Sequence, residues 1–197
     1  MHKLILASKS AARINMLKNA KLDFEYEPAP IDEEKLLQNL QIKRAQPRQI
    51  AESLAQEKAL SVSNLHPYAL VIGADQVLEC EGKIFSKAKN AKEAQEKLLS
   101  LAGKSHRLIS AVCIAREGKS QWGISDEATL HMGDDKNFIE QYCAKAGDVL
   151  TECVGAYAIE GQGTWLFDKV QGDYFTILGM PLIPLLNHLR EKYGFGP

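Results

Sequence analysis

Apolar positions along this chain recur in two rhythms. Lys3-Leu4-Ile5-Leu6-Ala7 is short and continuous, as buried strands are. From Ala11 to Ala20 the pattern turns helical, with Ile14, Leu17 and Leu22 giving an apolar face and Ser10 at the N-cap position. Phe24-Glu25-Tyr26 reads as a brief strand broken by Pro28 and Pro30, and Ile31 to Gln46 as a charged loop with a short helix. Pro47 suits a first turn and opens a helix from Arg48 to Ser61, with Ile50, Leu54, Ala55 and Lys58 about one face.

Leu70-Val71-Ile72-Gly73-Ala74-Asp75 is an apolar strand that closes on a carboxylate. Gln76 to Cys80 extends it towards a hairpin turn at Glu81-Gly82-Lys83. Ala91 to Leu101 is helical and stops at Gly103, and Arg107 to Arg116 and Ser120 to Met132 read as antiparallel strands about Glu117-Gly118-Lys119. Asn137 to Ala146 is a further helix. Gly155, Gly161, Gly163 and Gly172 then punctuate what reads as short strands, and Pro181 starts a last helix that runs to about Tyr193. With no internal repeat and no linker, the pattern predicts one mixed α/β domain over residues 1–197, with two lobes about a cleft as an option.

Composition narrows the function. The chain carries 24 basic and 25 acidic residues, a net charge of −1, which gives no general reason to expect a DNA or RNA polymer or an acidic membrane as partner. A small anion held by a few local cations is compatible with it. The four cysteines, Cys80, Cys113, Cys143 and Cys153, form no CxxC pair, so zinc and dithiol chemistry are disfavoured. The apolar start is too short for a signal or membrane segment, and the expectation is a cytoplasmic protein with free thiols.

Candidate chemistry gathers at a few places. Ser8, Ser10 and Arg13 lie where a strand turns into a helix, a junction whose N–H groups and hydroxyls bind phosphate well, although an N-cap beside a surface arginine would look the same. Asp75 follows two small residues at the end of an apolar strand. There it could hold a divalent metal, take a proton from water or simply cap a turn. Glu33, beside Asp32, and the cations Lys58 and Lys87 each read singly as solvated charges. No Walker motif is present, Gly161-Gln162-Gly163 does not complete GxGxxG, and no nucleophile elbow occurs.

Taken in order, the segments resemble the Maf family of nucleotide pyrophosphatases over essentially the whole chain. Leu6-Ala7-Ser8-Lys9-Ser10-Ala11-Ala12-Arg13 is similar to that family's LASxSPRR opening, and Ile31-Asp32-Glu33 to its acidic loop. Leu54-Ala55-Gln56-Glu57-Lys58-Ala59, Gly73-Ala74-Asp75-Gln76 and Ser86-Lys87-Ala88 resemble LAxxKA, GAD and GKP. Leu101 to His106 resembles LSGxxH, Gly155 to Gly161 the segment AGAYxIxG, and Leu178 to Leu182 the closing VGLPL.

The resemblance implies an inosine triphosphatase-like mixed sheet with helices and two lobes around a central cleft. It implies cleavage of nucleoside triphosphates to monophosphate and pyrophosphate with a divalent cation, Mg²⁺ or Mn²⁺, in a homodimeric enzyme. By residue it implies Asp75 and Lys87 as catalytic, Glu33 and Asp75 as metal carboxylates, and Ser8, Ser10, Arg13 and Lys58 as phosphate contacts. Gln76 and Glu160 match the pair found in the branch acting on 7-methyl-GTP, whereas the dTTP and UTP branch has threonine and glutamine there. Departures fall at Ala11-Ala12, where one arginine is missing, at Ser86 and Ala88 around the lysine, at Ser110-Ala111-Val112 in place of TGV, and at Cys153-Val154, where a lysine is absent. Two other readings stand beside the methylated purine nucleotide. One is dTTP/UTP hydrolysis, and the other is a non-catalytic nucleotide-binding regulator of cell division. A phosphosugar hydrolase on a similar fold would release orthophosphate instead.

Overall fold

The computed structural model describes residues 3–196. Its strands are β1 (Leu4–Leu6), β2 (Glu25–Tyr26), β3 (Leu70–Cys80), β4 (Lys83–Phe85), β5 (Ser105–Arg116), β6 (Lys119–Met132) and β7 (Phe167–Gln171). Its helices are α1 (Ala11–Asn19), α2 (Glu33–Ile42), α3 (Pro47–Leu65), α4 (Ala91–Leu101), α5 (Lys136–Cys143), α6 (Val149–Glu152), α7 (Tyr174–Leu178) and α8 (Leu182–Tyr193). A 3₁₀ turn covers Gln162–Leu166.

The sheet is mixed, in the order β2-β1-β3-β5-β6-β7, with β4 also on β3. β1 pairs in parallel with β2 and β3, and the remaining pairings are antiparallel. Because β5 covers one edge of β3 from Val71 to Glu79, β1 and β4 must share the other. They take Leu70–Ile72 and Leu78–Cys80, which leaves the edge at residues 73–77 open between them. Asp75 therefore sits in the middle of a long strand and not at its end, beside a gap in the sheet.

Strand alternation sorts β3 onto two faces. Val71, Gly73, Asp75, Val77 and Glu79 face α3, whose Ile50, Ala51, Leu54, Ala55 and Ala59 share a core with Val77, Ile109 and Ala111. Gly73 is what lets α3 lie close. A Cβ there would come within 2.2 Å of the Ala55 carbonyl oxygen and 2.5 Å of the Ala59 nitrogen. On the opposite face two cores form along the strands: Leu70, Ile72 and Ala74 pack with α1 and α8, and Leu78 and Cys80 with α4, α5 and Tyr157. Gln76 lies between them.

Three expectations change. The stretch from Ile31 to Gln46 holds a ten-residue helix, α2, because Asp32 caps the Lys35 N–H and Leu36, Leu37 and Leu40 pack against the α3 core. The Gly-punctuated region contains one strand, β7, with α6, the 3₁₀ turn and α7 about it. Gly163 packs back onto the Ala158 backbone, where a Cβ would lie 2.5 Å from the Ala158 carbonyl oxygen, so it folds a compact coil and does not separate strands. Ser10 occupies the N-cap position of α1, but its side chain makes no capping bond.

Candidate active site

Five of the expected residues meet at the open edge of β3. Lys58 reaches from α3 across the close approach at Gly73, and its Nζ donates to Asp75 Oδ1 at 2.6 Å. The same ammonium lies 2.9 Å from Glu33 Oε2 at the first turn of α2. Lys58 and Asp75 are 7% and 8% exposed, so this pair is held away from solvent. A buried pair of this kind contributes little net stability, because desolvation cancels most of the attraction. Its presence asks for a functional reason.

Arg13, in the first turn of α1, is also buried, and its Nε donates to the Gly179 carbonyl at 2.9 Å. Burial lowers its pKa, while the charges of Asp75 and Glu33 work the other way. Arginine stays a cation under such pressure. Lys87 enters from the loop between β4 and α4. Its side chain keeps access to water, yet the surrounding walls desolvate it and lower its pKa, and the like charges of Arg13 and Lys58 lower it further. Arg13, Lys58 and Lys87 thus share one electrostatic neighbourhood with Glu33 and Asp75.

Ser8 and Ser10 border the cluster after β1. Ser8 is buried and its Oγ accepts the Ser10 N–H at 3.2 Å. The Ser10 hydroxyl is not spent on the helix end. Such a turn carries the N–H and O–H donors an anion needs.

Gln76 leaves β3 on the face away from Asp75. The two N–H groups of its Nε2 are shared among three acceptors, Ser110 Oγ at 3.0 Å and the Thr176 and Ile177 carbonyls at 3.0 and 2.9 Å. Two main-chain carbonyls fix which way this amide points, and its remaining polar atom, Oε1, can only accept. Glu160 is exposed, and its charge is felt at Cys153, which in turn interacts with Lys87. The structure shows no direct contact between Glu160 and Gln76.

His106 belongs to the core. Burial pushes its pKa down to about 4, and its Nε2 lies 2.6 Å from the Tyr157 hydroxyl. The neutral pair lies among Phe167 and its neighbours, away from Asp75. The four thiols are free, as expected, with Cys80 and Cys113 buried and the other two partly so. Lys83, Lys89 and Lys92 are exposed.

Among the described residues no group of three or more His, Cys, Asp or Glu side chains is arranged to hold a metal ion. Glu33 and Asp75 offer two carboxylates that meet at the Lys58 ammonium. That donor set suits a hard cation such as Mg²⁺, which is usually held by one or two carboxylates together with substrate phosphates, and does not suit a zinc cage. Among the described residues no helix is long and apolar enough to cross a membrane.

Some parts of the site carry no signal in the local sequence. The Gly179 carbonyl that holds Arg13 is main chain from the far end of the chain. Lys97 did carry a signal, since it is a lysine on the buried stripe Ala94, Lys97, Leu98, Leu101 of α4.

A family model described as Maf-like protein matches residues 3–192. The chain is 44% identical over 191 residues to a protein of Brucella abortus named 7-methyl-GTP pyrophosphatase, covering 96% of each. It is 43% identical over 190 residues to a protein of Granulibacter bethesdensis named nucleoside triphosphate pyrophosphatase, again covering 96% of each. Among solved structures it is similar to the Ham1 protein of Staphylococcus aureus, with 17% identity, 67% of this chain and 72% of that chain covered, and a TM-score of 0.40. A score that low carries no conclusion about the site.

Proposed function

Because the chain belongs to the Maf-like protein family, we propose that it hydrolyses nucleoside 5′-triphosphates to the monophosphate and pyrophosphate. The observation that carries this is the cation-rich cluster at the open edge of β3, built about the buried Lys58–Asp75 pair.

Cleavage between the α- and β-phosphates requires a water oxygen to bond to Pα while the bond from Pα to the bridging oxygen breaks. The attacking water gives up a proton, and pyrophosphate leaves with added negative charge. Asp75 accepts from Lys58 through Oδ1, and its second oxygen is available to take the proton of the water. Lys58 holds the carboxylate in place. Arg13, Lys87 and the Ser8–Ser10 turn offset the charge on the leaving group, Arg13 and Ser8 from buried positions, where such contacts are strongest. Glu33 and Asp75 would hold a divalent cation arriving with the nucleotide, and it would supply further charge neutralisation at the phosphates.

For the base, Gln76 offers Oε1 and Glu160 a carboxylate, two groups that accept and do not donate. Guanine answers with the N1–H and 2-amino donors. Uracil and thymine present one N–H between two carbonyls. We therefore favour guanine-type triphosphates, including 7-methyl-GTP. A panel of canonical and methylated triphosphates, assayed for pyrophosphate with Mg²⁺ or Mn²⁺, tests both levels. Orthophosphate as the sole product would sink the reaction, and dTTP or UTP hydrolysed about tenfold faster than every guanine nucleotide would sink the base preference.

A further inference from the structure

Lys97 is a buried cation that the reaction above does not use. It lies on the apolar face of α4 between Ala94, Leu98 and Leu101, and it is 8% exposed. Its ammonium donates to the Ser86 carbonyl and, at 3.1 Å, to the Val154 carbonyl. Burial pushes its pKa down to about 8, against the opposing charge of Glu93 on its own helix. An unbranched apolar side chain would fill this place without the cost of desolvating an ammonium. A second reason for the lysine is therefore needed, and its two acceptors supply one.

Ser86 immediately precedes Lys87, and Val154 immediately follows Cys153. Lys87 and Cys153 are close enough for each to perturb the other's titration. The loop carrying Lys87 is anchored at its far end as well, where Glu93 accepts the Lys89 N–H at 2.7 Å and Asn90 caps α4. Without the Ser86 tie, the near end of that loop would lose the α4 anchor placed next to Lys87.

We propose that Lys97 is a positioning residue, tying the Lys87 loop to the Cys153–Gly161 segment so that Lys87 is presented to the substrate phosphates. This rests on the reading of Lys87 as a phosphate contact. It gives Lys97 no contact with substrate.

The test is a double-mutant cycle on binding of α,β-methylene-GTP, a non-hydrolysable triphosphate, by calorimetry. Lys97→Met should weaken binding about 5- to 20-fold in the otherwise unmodified protein and less than about twofold when Lys87 is already Ala, because coupled residues are non-additive. Lys97→Arg, which keeps charged donors, should recover part of the loss. An equal loss in both backgrounds would mean that Lys97 acts on the fold and not through Lys87, and would overturn the proposal. Unchanged affinity in folded Lys97→Met would overturn it too. If Lys97→Met does not fold, Lys97→Gln, which can still reach one carbonyl, carries the same comparison. Coupling intact without pyrophosphate release by the unmodified protein would sink the enzymatic reading alone, and no binding of the analogue to that protein would sink both.

Discussion

Two ion clusters lie along the same face of β3, and they differ in how their charges close. At the Glu79 end, Arg107 donates to Glu79 at 2.9 Å and approaches Glu127 to 3.7 Å, while Arg48 meets Glu127 at 3.2 Å. Two arginines answer two carboxylates. At Asp75, the cations Arg13, Lys58 and Lys87 face only Glu33 and Asp75. Exposure separates them further. The carboxylates Glu79 and Asp75 are equally buried, with side chains 11% exposed, but the cations that meet them differ: Arg107 and Arg48 are 43% and 45% exposed, whereas Lys58 is 8% exposed. The Glu79 ladder is closed and its two arginines are partly in water, so it ties strands together at low cost and low gain. The Asp75 cluster is left cationic, with Arg13, Lys58 and Asp75 buried and Lys87 and Glu33 at its rim in water, and an anion would complete it.

The largest effects should therefore come from the second cluster. Asp75→Asn should lower pyrophosphate release about 10³-fold, within the range expected for loss of a general base, while Glu79→Gln leaves turnover within about twofold. A folded Asp75→Asn protein with more than a tenth of the original rate would remove the distinction between the clusters. Next in size, Arg13→Ala should weaken triphosphate binding about 10- to 100-fold, as expected when a charge-assisted contact is lost. Arg48→Ala should leave that affinity unchanged and cost less than about 1 kcal/mol in denaturant unfolding. Equal losses of affinity in the two arginine variants would show that net charge, and not the site, governs binding.

The contrast was partly legible in the sequence. Asp75, Lys58 and Arg13 stood in segments whose periodicity fixed their elements, and the cluster forms because those elements pack through Gly73 and Gly179. The gap at residues 73–77 was not legible, because it depends on where β1 stops and β4 begins along a shared edge. The short-strand reading of the region from Gly155 to Gly172 failed because glycine marks both turns and close approaches, and Gly163 serves the second. Lys97 was missed for a related reason. A lysine among charged neighbours reads as solvated unless its place on the apolar stripe is counted.

The pH dependence sharpens the comparison at lower amplitude, because the two clusters should titrate at opposite ends of the scale. Lys87 has a lowered pKa, from burial and then from Arg13 and Lys58. Its phosphate contact is present while it is protonated and is lost as pH rises through that lowered value, so kcat/KM should fall on an alkaline limb below the ordinary lysine range. Arg13→Gln removes one of the like charges and should move this limb upwards. A limb that stays in place would show that Arg13 and Lys87 do not share a field.

The smallest effect belongs to Glu79. Burial alone would raise its pKa, but the Gly82 N–H bond at 2.6 Å and the bond and charge of Arg107 outweigh it, so the net shift is downwards. Its folded-state value lies below the unfolded one. The stability it contributes is therefore complete above the ordinary carboxylate range and is lost as pH falls through the folded value. Because Arg107 is 43% exposed, solvent screening holds the gain to about 1 kcal/mol. Melting temperatures recorded across acid pH should show this slope in the unmodified protein and a shallower one in Glu79→Gln, with the alkaline limb of kcat/KM the same in both. If Glu79→Gln moved that limb, the closed ladder would be acting on the open cluster, and the two could no longer be treated as separate.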